Sequence, residues 1–235
     1  MITNDCALEA RNITKHYGKH LVLKDVSLKI PKGSIFGIVG PNGAGKTTFL
    51  KILSGITKPN GGEVLVFGKK FNRSVLKKIG SLIEYPSIYG NLTAEENLVI
   101  HTMLLGIEKD NIKKVLNVVG LENTDKKIVS KFSLGMKQRL GIAIALLGDP
   151  EILILDEPTN GLDPIGIQEM RELILSFKER GITVIITSHI LSEIEKIIDK
   201  TAIINYGEIR YVGDYNNNEN LEKLFIDVVK GDYNG

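Results

Sequence analysis

Cysteine is almost absent from this 235-residue chain, which contains only Cys6. A single cysteine excludes an intramolecular disulfide and cannot by itself form a cysteine-rich zinc site. The N-terminal residues MITNDCALEA lack the basic and then apolar pattern of a secretion signal. We therefore expect a protein that is not secreted and that works in a reducing, cytosolic setting.

Long apolar runs are also missing. The best of them, residues 142–147 and 152–155, fall well short of the roughly 18 residues that a membrane-spanning helix needs. Because 43% of the residues are hydrophobic, the chain can still form a substantial core. The expectation is a soluble protein with no membrane span of its own.

An excess of charge of either sign is lacking as well. The chain has 30 Lys and Arg against 28 Asp and Glu. The basic pairs at 69–70, 77–78 and 113–114 are short and separated, as on solvated faces. Composition therefore gives no electrostatic case for a nucleic-acid partner, and none is expected.

What the chain does contain is a phosphate-binding motif. Residues 40–48 read GPNGAGKTT and match G-x-x-x-x-G-K-[ST] at every fixed position. Glycines let backbone N–H groups turn inward around phosphate oxygens, where a β-carbon would obstruct the approach. The lysine supplies a point charge to the β and γ phosphates, and the following threonine offers a hydroxyl to Mg²⁺. The predicted nucleotide-binding residues here are Gly40, Pro41, Asn42, Gly43, Ala44, Gly45, Lys46, Thr47 and Thr48.

The segments that flank this motif strengthen it. Residues 34–39 form a short apolar run suited to a buried strand, and residues 47–53 have helical spacing. The helix would point the positive end of its dipole at the bound phosphates. The alternative, a glycine-rich turn with an incidental lysine, does not require this order of strand, loop and helix.

Two carboxylates follow a second apolar strand, in ILILDE at residues 152–157. At the carboxyl end of a parallel strand they would emerge beside the phosphate loop. There Asp156 can hold Mg²⁺ through water, and Glu157 can polarise the water that attacks the γ-phosphate. A solvated acidic turn is the alternative.

A histidine occupies the same position after another predicted strand. His189 follows residues 182–187, where its imidazole could hydrogen-bond a γ-phosphate oxygen. Lone histidines are more often structural, and His16, His20 and His101 are assigned no role because they lack this placement.

The periodicity changes twice along the chain. Residues 8–13, 21–30 and 62–67 read as strands, and Val26, Leu28 and Ile30 alternate with polar residues as in a half-buried strand. Residues 93–121 read as a helical insert that opens with a Thr93–Glu96 capping box. The runs at 151–155 and 182–187 lack alternation, as parallel strands covered on both faces do. A helix over 166–180, a hairpin over 201–212 and a last helix over 221–229 complete the prediction.

Together these segments resemble the nucleotide-binding subunit of an ATP-binding cassette transporter over nearly the whole chain. FSLGMKQR at residues 132–139 resembles the family signature, normally LSGGQ followed one residue later by QR. NGLD at 160–163 occupies the place of the family's D-loop, and Tyr17 matches the aromatic residue that stacks on adenine.

The resemblance implies a fold and a division of the chain. It implies an α/β protein: a P-loop NTPase core with a mainly parallel central sheet, an antiparallel β subdomain and a helical subdomain. The single domain spans residues 1–235. Its core and β subdomain would comprise 1–80 and 150–212, its helical subdomain about 85–148, and its C-terminal helical extension 213–235.

The resemblance also implies partners. Two copies, expected to be identical chains, would bind head to tail, so that Ser133, Gly135 and Asp163 of one complete the ATP site of the other. Unpaired N–H groups at a helix N-terminus suit such a phosphate cap, although Ser133 could be an ordinary helix cap. A separate integral-membrane permease would hold this cytoplasmic subunit at the inner face of the membrane.

Two departures from the family pattern stand out. The signature has Phe132, Leu134 and Met136 in place of Leu, Gly and Gln. In the loop GSLIEYP at residues 80–86, Glu84 stands where the family presents glutamine to Mg²⁺ and the attacking water. An ionised carboxylate is a stronger metal ligand than an amide but cannot donate a hydrogen bond.

These departures point to a subfamily. IGSLIEYPSIYGNLTAEENL together with FSLGMKQRLGIA resembles bacterial bacitracin-resistance and lantibiotic-immunity exporters. The resulting hypothesis is an ATPase that uses ATP with Mg²⁺ to export an antimicrobial peptide, with Glu157, His189, Lys46 and Glu84 as catalytic residues and Thr47, Asp156 and Glu84 as metal ligands. A soluble cassette ATPase of macromolecular assembly, such as iron–sulfur cluster biogenesis, is the alternative. A third possibility is a nucleotide-gated sensor with little turnover, which Glu157 disfavours.

Overall fold

The fold is a mixed α/β structure in the computed structural model, which describes residues 5–124, 126–215 and 220–231. In these residues the strands are β1 (Cys6–Tyr17), β2 (His20–Pro31), β3 (Ile35–Val39), β4 (Gly61–Val66), β5 (Lys69–Lys70), β6 (Ile79–Leu82), β7 (Ile152–Asp156), β8 (Thr183–Thr187), β9 (Lys200–Asn205) and β10 (Glu208–Asp214).

Helices lie between and around these strands. In the same residues they are α1 (Lys46–Leu53), α2 (Arg73–Leu76), α3 (Ala94–Leu105), α4 (Asn111–Val118), α5 (Leu134–Leu146), α6 (Pro164–Glu179), α7 (Leu191–Ile194) and α8 (Leu221–Lys230), with a 3₁₀ turn at Val129–Lys131. Each helix in this described part of the chain is too short or too polar to cross a bilayer.

The larger sheet has the order β10-β9-β3-β8-β7-β6 and is parallel except for β10, which pairs antiparallel with β9. Every residue of β3, β7 and β8 is buried, because one core cluster covers each face of the sheet. Ile35 and Val39 face one cluster, whereas Phe36 and Ile38 face the other. The parallel central sheet predicted from unalternating apolar runs is confirmed.

The smaller sheet is antiparallel and has the order β2-β1-β4-β5. In β2 the side chains of Val26, Leu28 and Ile30 are buried, whereas Ser27 and Lys29 between them are exposed. The predicted alternation is confirmed, and it places this sheet against the core cluster that also contains Phe49 of α1.

The helical insert begins where the sequence predicts it. The Thr93 hydroxyl accepts from Glu96 N, and the Glu96 carboxylate accepts from Thr93 N, which completes the capping box. The insert then divides into α3 and α4, because Gly106 adopts φ 65° and ends α3.

Two features differ from the sequence-based expectations. The segment expected to be a loop over 80–86 starts as strand β6, which pairs with β7 through Ile79–Ile152 and Leu82–Leu155. A four-residue edge strand carries too little pattern to be recognised in isolation. Helix α2, capped by Asn72, was not expected either.

The C-terminal expectations are met in the described residues. The hairpin of β9 and β10 turns at Tyr206 and Gly207, and α8 follows at residues 221–230. Residues 216–219 and 232–235 of the predicted C-terminal extension lie outside the described part of the chain. The division into subdomains stays a prediction.

Candidate active site

The phosphate loop joins β3 to α1. Gly45 is the N-cap of α1 with φ 105°, and Gly43 has φ 80°. Residues with a β-carbon rarely adopt these backbone conformations. Because α1 begins directly after these glycines, the N–H groups of its first turn lie at the loop, as an anion site requires.

Gly40 is a glycine for another reason than the one inferred from the motif. A β-carbon at this position would lie 2.3 Å from the carbonyl oxygen of Ile204 in β9. The loop packs directly against the neighbouring strand, so the restriction at Gly40 comes from the sheet rather than from the approach of a phosphate.

Lys46 lies across the loop that precedes it. Its Nζ donates to the carbonyl oxygens of Gly40 at 2.7 Å and Pro41 at 3.1 Å, and the residue is buried. Burial lowers the pKa of the Lys46 ammonium below its ordinary value, an effect that the nearby Glu157 and Asp156 carboxylates oppose. The ammonium thus stands between the loop and two acidic groups.

Asp156 ends β7 in a network of hydroxyl groups. Its Oδ2 accepts from Thr47 Oγ1 at 2.9 Å, and its Oδ1 accepts from Thr187 Oγ1 at 2.6 Å. The Thr187 hydroxyl in turn accepts from Glu157 N at 3.0 Å. Parallel pairing of β7 with β8 sets Asp156 beside Thr187.

This arrangement brings the predicted metal ligands Thr47 and Asp156 together. Hydroxyl and carboxylate oxygens are hard ligands of the kind that Mg²⁺ takes alongside phosphate oxygens and water. Asp156 is buried, and Thr187 orients it, a role that motif analysis missed. The sequence feature that could have indicated this role of Thr187 is its position as the last residue of the buried parallel strand β8.

Glu157 and His189 are in direct contact. His189 Nδ1 lies 2.6 Å from Glu157 Oε2, and the same oxygen accepts from His189 N at 3.1 Å. Glu157 has φ 50°, a left-handed conformation that costs about 1–3 kcal/mol in a residue with a side chain. The turn after β7 is thus strained where it presents the carboxylate.

Glu157 and His189 line a pocket of about 640 Å³ beside the phosphate loop. Its walls include His20 and Val22, which no motif singled out, and Asn160, the first residue of the NGLD segment. His20 stands directly opposite Tyr17 at the end of the β1–β2 hairpin, so the tight turn between them was the available signal. The other lining residues are Asn42, Gly43, Gly45, Lys46, Thr47, Thr48, Glu157 and His189.

Tyr17 lies at the end of β1, and about half of it is exposed. Lys15 Nζ lies 5.0 Å from the centre of its ring and donates to the carbonyl oxygen of Lys58 at 2.8 Å. A cation at this distance holds a ring by a cation–π contact. The remaining loop residue, Ala44, is buried, and its carbonyl oxygen accepts from Gly207 N.

Glu84 lies in a second pocket of about 550 Å³, whose walls also include Asp156 and Glu157. The Glu84 carboxylate binds Lys51 of α1, with Oε1 2.7 Å from Nζ. Its backbone has φ 63°. The structure therefore places Glu84 near the predicted metal site but pairs it with a lysine that the sequence analysis did not consider.

The three residues expected to serve a partner subunit lie on exposed helix starts. Ser133 caps α5 by accepting from Met136 N at 3.2 Å, and Asp163 caps α6 by accepting from Gly166 N at 2.8 Å. Gly135 lies in the first turn of α5 and is partly exposed. They line one groove together, away from the phosphate loop of their own chain.

A strand, a glycine-rich loop and a helix, with acidic residues at the end of another parallel strand of the same sheet, define a P-loop nucleotide-binding protein. The chain belongs to the ABC transporter family, whose profile matches residues 23–160. The family resemblance of the sequence is thereby confirmed.

Two relatives illustrate the match. The chain is 51% identical over 218 residues to the lantibiotic transport ATP-binding protein SrtF of Streptococcus pyogenes, which covers 93% of this chain and 95% of the relative. It is 52% identical over 207 residues to the bacitracin transport ATP-binding protein BcrA of Bacillus licheniformis, with 86% of this chain and 68% of the relative covered.

Solved structures agree on the fold. The ATP-binding subunit of an ABC transporter superposes with a TM-score of 0.83 at 27% identity, covering 94% of this chain and 99% of the other. A dimeric post-hydrolysis ATP-binding cassette bound to ADP and phosphate gives 0.78 at 26% identity, covering 89% and 99%.

Proposed function

We propose that this chain is the ATP-hydrolysing subunit of a membrane transporter that exports an antimicrobial peptide of the bacitracin or lantibiotic type. The observation that carries the proposal is that Lys46, Thr47 and Glu157 line one pocket beside a P-loop, with Asp156 hydrogen-bonded to Thr47. The substrate class rests on the names of the relatives at 51% and 52% identity.

Within the site, each group has a task that its position suits. Lys46 and the N–H groups of α1 bind the phosphates, and Tyr17 stacks on adenine. Thr47 and Asp156 would hold Mg²⁺, which would neutralise charge on the phosphate oxygens, and Glu84, in the wall of the second pocket, would be a further ligand.

Hydrolysis requires a base and a group that holds it. Glu157 takes a proton from the water that attacks the γ-phosphorus, and ADP leaves with the bridging oxygen. His189 holds the Glu157 carboxylate through two hydrogen bonds. Since its Nδ1 faces that carboxylate, Nε2 is the nitrogen left to contact a phosphate oxygen.

The pocket is completed by a second copy of the chain. Ser133, Gly135 and Asp163 line their groove at exposed helix starts, and a solved relative with bound ADP and phosphate is dimeric. In a head-to-tail dimer Ser133 and Gly135 cap the γ-phosphate of the other protomer, and Asp163 contributes to the same site.

The permease docks beside Glu84, at the surface formed by Tyr85, Met103, Leu104 and Leu105. Each of these four large residues is more than half exposed, from 52% for Leu105 to 89% for Tyr85. Exposed apolar side chains of this size are typical of an interaction surface. Helix α3, which carries three of them, contacts the segment after Glu84, since His101 Nε2 lies 2.9 Å from the carbonyl oxygen of Ser87. Docking there holds the chain at the inner face of the membrane and links Glu84 to substrate transport.

The test uses the chain with its candidate permease in detergent-solubilised membranes. We expect the two proteins to co-purify and the complex to hydrolyse ATP. Leu104→Asp should abolish co-purification, whereas the purified variant chain should still bind ATP. Leu175→Asp, a matched change of an exposed leucine on α6, serves as the control. A chain that hydrolyses ATP but never associates with a permease would contradict the transporter assignment.

A further inference from the structure

Leu134 is the unexplained residue of the signature segment. It is the first residue of α5, stands where the family signature has glycine, and is 48% exposed. An exposed leucine gains little from that position by burial alone. Its contacts provide a reason for it.

The side chain of Leu134 lies over Gly161 in the turn that follows Glu157. A β-carbon at Gly161 would stand 2.9 Å from Leu134 Cδ2, closer than two carbon atoms can approach. The reverse contact exists as well, since a β-carbon at Gly135 would lie 3.6 Å from Leu162 Cδ2. Each segment thus sets a leucine against a glycine of the other, a pair of contacts that we call the leucine–glycine interlock.

The turn carries this contact to the base. Asn160 N donates to the carbonyl oxygen of Glu157 at 3.1 Å, and Leu162 N donates to that of Thr159 at 3.2 Å. A displacement of Gly161 therefore moves the backbone of Glu157 with it. Leu134 also lines two neighbouring cavities: the second pocket, which contains Glu84 and Glu157, and the groove that contains Ser133.

From these contacts we infer that Leu134 is a positioning residue, which transmits the position of the signature helix to the turn that carries Glu157. The inference rests on the proposed function, in which Ser133 and Gly135 engage the nucleotide of the partner protomer. Engagement of α5 by that nucleotide presses Leu134 on Gly161 and fixes the Glu157 carboxylate of its own protomer. The base is thereby set only when the opposite site is loaded.

A double-mutant cycle on the intact chain tests the interlock. Leu134→Ala should lower kcat about tenfold and leave KM and ATP affinity unchanged, because the contact acts on the base rather than on binding. Leu134→Met, which conserves volume, should restore most of the rate. Leu175→Ala, a change of an exposed leucine on α6 rather than α5, should leave kcat unchanged.

The second arm adds a methyl group to the partner residue. As a single variant, Gly161→Ala should also lower kcat relative to the wild type, because the new β-carbon clashes with Leu134 and the backbone has φ 75°. In Leu134→Ala/Gly161→Ala the clash is relieved, so kcat should exceed the product of the single effects by about three- to thirtyfold.

The outcomes separate the inference from the function. Additive effects, or a rise in KM with kcat unchanged, would overturn the interlock while leaving the ATPase assignment intact. A wild-type chain that binds a permease but hydrolyses no ATP would overturn the proposed function and this inference with it. Should Gly161→Ala fail to fold, the comparison of Leu134→Ala with Leu134→Met decides alone, since equal losses in both would refute the inference.

Discussion

The imidazole of His189 and the carboxylate of Glu157 join the segments that follow strands β8 and β7, with Nδ1 and Oε2 2.6 Å apart. The backbone N–H of His189 donates to the same oxygen at 3.1 Å. Two donors on one oxygen orient the carboxylate and leave its second oxygen for water. Glu157, in a strained turn with φ 50°, lines the phosphate pocket.

Glu157→Gln keeps an oxygen that can accept from His189 but removes the base. We expect phosphate release to fall by about 10²–10⁴-fold while ATP stays bound, since a general base contributes this much to rate. Scattering should then show ATP-loaded dimers accumulating. Glu179→Gln, at the exposed end of α6, is the matched control. Undiminished turnover in Glu157→Gln would show that another group is the base.

Alkaline pH should weaken nucleotide binding through Lys46. Burial lowers the pKa of this ammonium below 10.5. It is charged below its pKa and loses the charge as pH rises through it, so ATP affinity should decline on the alkaline side. Titration with a fluorescent ATP analogue from neutral to alkaline pH measures this decline. In Lys46→Met the affinity should be low throughout, and an unchanged alkaline decline in that variant would assign the effect to another group.

Glu84 should act on coupling rather than on nucleotide affinity. We expect Glu84→Gln to leave ATP affinity nearly intact and to alter permease-stimulated hydrolysis, measured with both subunits in membranes. Lys51→Met should alter the same stimulation, because it removes the partner that Glu84 holds at 2.7 Å. The Lys51 side chain is 27% exposed and the Glu84 side chain 56%, so solvent screens the pair and either change should shift stability by less than about 1 kcal/mol. A collapse of ATP binding in Glu84→Gln would instead identify a direct nucleotide ligand.

Gly40 should be intolerant of a methyl group even without nucleotide. A β-carbon there would stand 2.3 Å from Ile204 O, so Gly40→Ala should lower the free energy of unfolding by about 1–3 kcal/mol, as overpacking does. A β-carbon at Gly43 would have open space around it, but the backbone there has φ 80°. Gly43→Ala should therefore lower the free energy of unfolding by about 1–2 kcal/mol through backbone strain alone. Denaturant titration compares the two. If Gly40→Ala is as stable as the wild type, the packing explanation for this glycine is wrong.

Much of the fold could be predicted because its signals are local. Apolar runs without alternation identified β7 and β8, and the Thr93 capping box identified the start of α3. Short elements could not be predicted in this way. Strand β6 has four residues, and its pairing with β7 decides its conformation more than its own pattern does.

The site divides along the same line. Motif order was sufficient to propose Lys46, Asp156 and Glu157, since each follows a strand that carries its own signature. His20 was dismissed because its role in lining the pocket depends on a hairpin partner, and Lys51 was overlooked because its contact with Glu84 spans 33 residues.

By itself, the amino-acid sequence determined the phosphate loop, the parallel core and membership in the ABC transporter family, because these depend on residue order over short stretches. Only the tertiary structure decided that Gly40 is restricted by Ile204, that Glu84 pairs with Lys51 and that Leu134 lies over Gly161. Those contacts join segments far apart in the chain. Their geometry follows from how the sheet and helices pack, which no local pattern encodes.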